Sequence, residues 1–328
     1  MSRRINVSSA VSIVIAAVLL VAGQAAAQVI RTADVNVRGL RESDFPRIVK
    51  LSDNIYAYEE LANPLASNAA FTTNSLIVVT RDGVLVADAQ GSEAATRKLI
   101  AEIGKITVRP IKYVVVGADH ADHVAGNGVF PEGVTFIAHP NSKAAIERMV
   151  AGARGRGGAG GARPIPIPQE VVSDRRVLKM GDTEMHILFL GRAHTGGDLE
   201  VYFPREGIMW MSEAFHNRIY PSMGGNFSGQ PSEWIEVLKK AEAMNARMYV
   251  PNHGFVDSPE ILKQEMINLR RALENLVSEG RRLYAAGVPL QTAYRNINLG
   301  EFQYWFRAAN NMPDGLRKVY AEEEEKKK

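Results

Sequence analysis

The sequence predicts a mixed α/β (α+β) fold, a sandwich of two sheets flanked by helices. Two observations predict it: strand-like runs fall into two groups along the chain, and each group is followed by helical pattern. A third is the pair of apolar runs joined by Arg81-Asp82-Gly83, which reads as a tight hairpin in the first group.

In chain order, the pattern is β-rich from about Asp44, and Asn74–Thr80 and Val84–Asp88 form the two arms of that hairpin. Glu93 to Ile103 places Ala94, Leu99, Ile100 and Ile103 at helical spacing. Ile111–Val116, apolar except for Lys112, reads as a strand buried on both faces. Val134–Ala138 is a strand and Ser142–Val150 a short helix. Ala151–Arg163 contains only Gly, Ala and Arg, and reads as a flexible loop before the extended Pro164–Pro168. The second group of strands comprises Arg175–Met180, Met185–Leu190, Leu199–Phe203 and Ile208–Met211. Ser232–Met244 is helical, Met248–Val250 a strand, and Pro259–Tyr284 a long amphipathic helix. Gln291–Tyr320 is expected to form short helices in which Phe302, Tyr304, Trp305 and Phe306 pack, and Glu322–Lys328 a frayed charged tail.

The N-terminus reads as a targeting segment. Arg3 and Arg4 precede an apolar run, Ala10–Gly23, that is short for a membrane span, and Ala25-Ala26-Ala27 offers a cleavage site before Gln28. The expected division is residues 1–27 as signal peptide, 28–45 as N-terminal extension, 46–265 as the main domain and 266–328 as a helical extension. Export to the periplasm follows, with no membrane association after cleavage.

Composition excludes several classes. A 46% hydrophobic and 23% charged chain of 328 residues is globular, and a net charge of +3 argues against nucleic acid as a partner. With no Cys there is no disulfide, no thiol nucleophile and no thiolate metal ligand. A transition metal would have to be held by imidazole and carboxylate.

Six such residues stand out: His120, Asp122, His123, His194, Glu213 and His253. The first three form His-x-Asp-His directly after the strand ending at Val116. His194 follows the apolar run Ile187–Leu190, and His253 follows Met248–Val250. Three strand-end histidine sites suit a metal centre built on a rigid sheet. Of the other histidines, His139 and His186 read as structural, and His216 is the outsider for lining the pocket.

Taken in order, the Asn74–Asp88 hairpin, His-x-Asp-His, Gly191-x-x-His194-Thr195 and Asn252-His253-Gly254 resemble the metallo-β-lactamase-fold superfamily of hydrolases. The likeness runs from about Ile55 to Gly254. It implies a four-layer αββα sandwich with extra C-terminal helices and a zinc site at one edge of the sheets. It places His120 and His194 in one metal set and Asp122, His123 and His253 in another, with Glu213 where many members carry a bridging Asp. Asp88 and Asp198 are expected to orient the ligands, and Arg218 or Tyr220 to approach an anionic group of the substrate.

One position departs from the family pattern: Ala118 stands where the first His of His-x-His is usual. The first set is then one ligand short of the three usual for catalytic zinc, with Asp119 the only adjacent substitute. The expectation is one or two zinc ions, one favoured. His120, His194 and Asp122 are the candidate catalytic residues, His120 and His194 as general base or as orienters of water. The implied reaction is attack of zinc-activated water on a small-molecule carbonyl substrate: β-lactam, ester, lactone or thioester. β-Lactam hydrolysis is the version to test first, because export places the enzyme where those drugs act. The rival reading is a non-catalytic or weakly active binding protein. Ala118 favours it, and the retained ligands oppose it.

Overall fold

The computed structural model describes residues 30–66, 70–155, 163–224 and 229–328. The expected signal peptide lies outside these residues, as does most of the Gly-rich stretch. Two sheets face each other. The first runs β1 (Arg47–Lys50), β2 (Ile55–Leu61), β3 (Thr72–Thr80), β4 (Gly83–Ala87), β5 (Ile111–Val115), β6 (Thr135–Ala138) and β7 (Glu170–Val171) in spatial as in chain order. β1 to β4 pair antiparallel, and β4 to β7 pair parallel. The hairpin closes with Thr80 opposite Gly83, as the Asp-Gly turn predicts.

The second sheet has the order β12-β11-β10-β9-β8. Its strands are β8 (Arg175–Met180), β9 (Thr183–Leu188), β10 (Glu200–Phe203), β11 (Ile208–Trp210) and β12 (Met248–Val250). Alternation along the strands builds the layers. Leu76, Val78, Leu85 and Ala87 point between the sheets towards Met185, Ile187 and Val201. Ile77, Val84 and Val86 point the other way, onto Leu99 and Ile103 of α1 (Glu93–Ile106) and Ile146 of α3 (Pro140–Gly155). Leu76 is fully buried, so truncating it to Ala costs about 2–5 kcal/mol.

The outer face of the second sheet is covered by α4 (Pro231–Ala243) and α5 (Pro259–Ala285), whose Trp234, Leu238, Leu262, Met266 and Leu269 join the same core. Ser258 caps α5 at Ile261 N, and Pro259 opens it. The chain closes with α6 (Leu290–Ala293) and α7 (Ala308–Glu325). Thr32–Lys328 forms one compact unit. Among the described residues no helix is long and apolar enough to cross a membrane.

Four expectations are corrected. β5 is not buried on both faces throughout: Lys112 is exposed, and Ile111 and Tyr113 are only half-buried. The helix expected to stop at Val150 continues to Gly155, with Ala151, Ala153 and Arg154 favouring it despite Gly152. The C-terminal segment is dominated by one 18-residue helix that runs to Glu325, despite Pro313 and Gly315. Gly315 does not break it, because its missing Cβ makes room for Leu276 of α5, just as Gly280 of α5 makes room for Val319. Tyr304 is 84% exposed, whereas Phe302 and Trp305 are buried.

Candidate metal centre

Strand ends at one edge of the sandwich deliver the site. After β5, His120 precedes a single helical turn, α2 (Ala121–Val124), which carries Asp122 and His123. The turn closes through His123 N and Val124 N donating to His120 O, so residues three apart share one side. The loop is held to β4 by Asp88, whose Oδ1 accepts from Gly117 N at 2.7 Å. Asp88 Oδ2 accepts from Asn252 Nδ2 at 2.7 Å and lies 3.4 Å from His123 Nδ1.

His194 sits in a loop pinned by Asp198, whose Oδ2 accepts from Thr195 N at 2.7 Å and Ala193 N at 3.3 Å. Glu213 rides on a 3-10 turn, Ser212–Ala214, directly after β11. Trp234 of α4 fixes that turn by donating Nε1–H to Ala214 O at 2.9 Å. Ser212 has φ +49°, Asp88, buried behind His123, +57°, and Arg307, at the cavity wall, +62°. Left-handed non-glycine residues of this kind gather at functional sites.

His253 follows β12. Its Nδ1–H donates to Thr72 O at 3.0 Å, which turns Nε2 inward. Gly254 has φ +83°, and a Cβ there would lie 2.2 Å from Asn217 O, so only glycine fits. Asn74 Nδ2 donates to Pro251 O and Gly254 O, tying this loop to β3.

The side chains form two clusters that share Glu213: Asp122, His123, Glu213 and His253, and His120, His194 and Glu213. Glu213 Oε1 lies 3.1 Å from His253 Nε2, 3.2 Å from His123 Nε2 and 3.5 Å from His194 Nε2. Asp122 Oδ2 lies 3.4 Å from both His123 Nε2 and His253 Nε2. A tetrahedral shell with bonds of about 2.0–2.1 Å spaces its donors about 3.3–3.4 Å apart. The first cluster matches that spacing, and its donors are the imidazoles and carboxylates that divalent metals take. In the second, His120 Nδ1 and Glu213 Oε2 stand 2.8 Å apart as an ion-pair contact, closer than the donors of one metal shell.

Electrostatics follow the same grouping. Burial opposes charge on His123, but Asp122, Glu213 and Asp88 outweigh it and push the imidazole up to about 10. Burial likewise opposes charge on His253, but hydrogen bonds to Asp122 and Glu213 overcome it and raise the ring to about 9. His194, with burial dominant over Glu213, falls to about 4. Glu213 is held well below the usual carboxylate range despite burial, by His194, His120 and His123. Without metal, the centre is thus a set of buried ion pairs, and metal binding must displace their protons.

The clusters form the floor of a cavity of about 540 Å³ walled by Phe71, Ile219, Ser222, Arg307 and Asn311. All six candidate ligands lie together, and five of them line it, His123 being fully buried behind. Asp119 belongs to neither cluster, so it does not substitute for residue 118. Arg218 is also placed elsewhere: its guanidinium grips Glu265 at 2.8 Å through both Nε and Nη2. Tyr220 is fully buried and does not face the cavity. His139 stacks on Phe189, and His186 pairs with Glu184 within the second sheet, as structural roles require.

Three residues carry more of the site than the sequence suggested. His216 lines the cavity beside Glu213, Trp234 backs His194 and His216, and Arg307 supplies a cation at the wall. Only His216 had a local signal, its spacing from Glu213. Arg307 comes from the start of α7, far from every motif.

The metallo-beta-lactamase superfamily model matches residues 69–253, which contain every candidate ligand. A metallo-beta-lactamase type 2 from Bacillus sp. (strain 170) is 23% identical over 218 residues, 66% of this chain and 79% of that protein. The structure of a metallo-beta-lactamase from Pontibacter korlensis covers 69% of this chain with 98% of its own, at TM-score 0.55 and 18% identity. The stereoselective inverting sec-alkylsulfatase Pisa1 from Pseudomonas sp. covers 84% of this chain at TM-score 0.65 and 16% identity, and this chain spans half of its length. With the family model matched over more than half of its length, the chain belongs to the metallo-beta-lactamase superfamily and is a metal-dependent hydrolase.

Proposed function

We propose that this protein is an exported zinc hydrolase of carbonyl substrates that carry an anionic group, β-lactams being the first to test. The observation that carries this reading is the convergence of Asp122, His123, Glu213 and His253 beneath a cavity whose wall holds Arg307. Among the described residues no carboxylate pairs with that arginine, whose guanidinium lies over the Phe71 ring, 5.8 Å from its centroid.

Asp122, His123, His253 and Glu213 would hold the ion, which when bound would lower the pKa of water and polarise a carbonyl. Asp88 and the Thr72 carbonyl orient His123 and His253 from behind. His120 lines the cavity with its Nδ1 2.8 Å from Glu213 Oε2, a place suited to taking a proton from the attacking water and returning it to the leaving group. His194, neutral near pH 7, orients water without adding a competing charge. Arg307 pairs with the anionic group, and Phe71 and Ile219 exclude water from the substrate's apolar part.

Export rests on Arg3-Arg4, the apolar run and Ala25-Ala26-Ala27. Mass spectrometry of the secreted chain should give an N-terminus at Gln28.

A second reading is sulfate-ester hydrolysis. It is favoured by the broader overlap with the alkylsulfatase structure, 84% of this chain against 69%, and by an arginine that suits sulfate as well as carboxylate. The deciding experiment measures zinc per chain and turnover of a cephalosporin, a carbapenem, an aryl ester, a lactone, a thioester and a secondary alkyl sulfate. Carbonyl turnover lost on chelation and in His253→Ala supports the first reading. Turnover of the sulfate alone replaces it with the second, and absence of bound zinc overturns both.

A further inference from the structure

Ala118 is fully buried, so the position where the family pattern expects a metal-binding imidazole presents only a methyl group to the protein interior. His216 reaches the same cluster from the opposite sheet. Its backbone bridges His253 in parallel pairing, and Asn217 N donates to His253 O at 2.8 Å, so the residue is anchored where β11 and β12 end. Its ring centroid stands 5.0 Å from that of His194, which stands 4.8 Å from that of His120. His216 Nε2 is 4.0 Å from Glu213 Oε1.

The ring is 3% exposed, and neither of its nitrogens has a hydrogen-bond partner among the described residues. Trp234, whose ring packs against it, has its Nε1–H already committed to Ala214 O. A buried imidazole with two orphaned nitrogens, aimed into a cavity beside two other imidazoles and a carboxylate, is short of an electrophile.

The geometry points to His216 as the third imidazole of a second metal position, formed with His120 and His194 and sharing Glu213 with the ion of the proposed zinc site, on which this inference rests. The ligand lost at residue 118 on the β5 side is thus replaced from the β11 side, and in this two-ion form His120 and His194 serve as ligands in place of the water-handling roles they have with a single ion. His216 stands outside the donor cluster that His120, His194 and Glu213 already form, so it joins them by a side-chain movement that closes its 4.0 Å separation from Glu213 Oε1 and brings a ring nitrogen toward the other two imidazoles.

The test is metal content, read without turnover. The purified full chain is equilibrated with zinc, dialysed, and measured by elemental mass spectrometry alongside His216→Ala and His216→Gln. X-ray absorption counts imidazoles per metal, and thermal melts confirm that each variant is folded. The expected result is about two zinc ions per chain in the parent and about one in both variants, with external imidazole restoring the second ion in His216→Ala alone. Two ions in the folded variants would overturn the assignment, as would a parent that binds only one while still hydrolysing its substrate. A parent that binds none would overturn the zinc reading as well, which separates the two failures.

Discussion

Replacing Asp88 by asparagine removes one charge and one acceptor from behind the metal centre while keeping the side-chain shape. Asp88 serves three groups: Gly117 N and Asn252 Nδ2, each at 2.7 Å, and His123 Nδ1 at 3.4 Å. Burial pushes its carboxyl up to about 6, against the pull of His123, so it is ionised at pH 7. An amide has a single acceptor oxygen, so whichever way the new side chain is turned, its NH2 must face the donor of Gly117 or of Asn252. One buried hydrogen bond is lost and a donor is left unpaired, which costs about 1–3 kcal/mol of stability. His123 also loses the carboxylate that orients it and raises its basicity. Partners of this kind are worth about 10–100-fold in metal affinity, or about 1.4–2.7 kcal/mol. Competition against a chromophoric zinc chelator reads the affinity, and a thermal melt of the metal-free protein reads the stability. A variant that melts lower but binds zinc as tightly as the parent would refute the reasoning and reduce Asp88 to a loop anchor.

Three further outcomes are expected. In the metal-free protein His123 and His253 titrate at about 10 and about 9, so both are protonated at pH 7 and zinc must displace those protons; apparent zinc affinity should rise between pH 7 and 9 by about tenfold per pH unit for each imidazolium, checked by chelator competition across that range. Arg307→Ala should raise KM for anionic substrates about 10–100-fold while leaving kcat and a neutral ester analogue little changed, as steady-state kinetics would show. Glu59 is fully buried, and burial raises its carboxyl to about 7 from an ordinary 4.5 despite Arg47; a raised carboxyl stabilises the fold below the unfolded value and loses that contribution as pH climbs through about 7. Glu59→Gln should therefore remove a fall of up to about 3 kcal/mol between pH 4.5 and 8, measured by denaturant unfolding at each pH.

The sequence exposes the candidate ligands readily because each lies within eight residues of a strand's end, so a short loop at a sheet edge decides where it points. His120, Asp122 and His123 share one helical turn, and His253 sits three residues beyond Val250. What the sequence hides depends on packing between distant elements. Arg307 reaches the cavity only because α7 lies close on α5, and that approach rests on Gly280 and Gly315, residues whose local signal is helix breaking. Arg218 reads as a substrate-facing cation until Glu265, in the second turn of the long helix, claims it. His216 is ambiguous by spacing alone and acquires meaning only when the bridge to His253 puts it beside Glu213.

Arg307 and the candidate ligands belong to different parts of the chain, the one at the start of the last helix and the others on loops at the strand ends. Anything that shifts α7, from a trimmed C-terminus to a bulkier residue at Gly315, would alter which molecules enter while leaving the donor atoms where they are. Selectivity and chemical competence are therefore separately adjustable here. A library confined to residues 300–320 would explore new substrates on an intact catalytic floor, whereas the same number of changes around residue 120 would mostly yield inert protein.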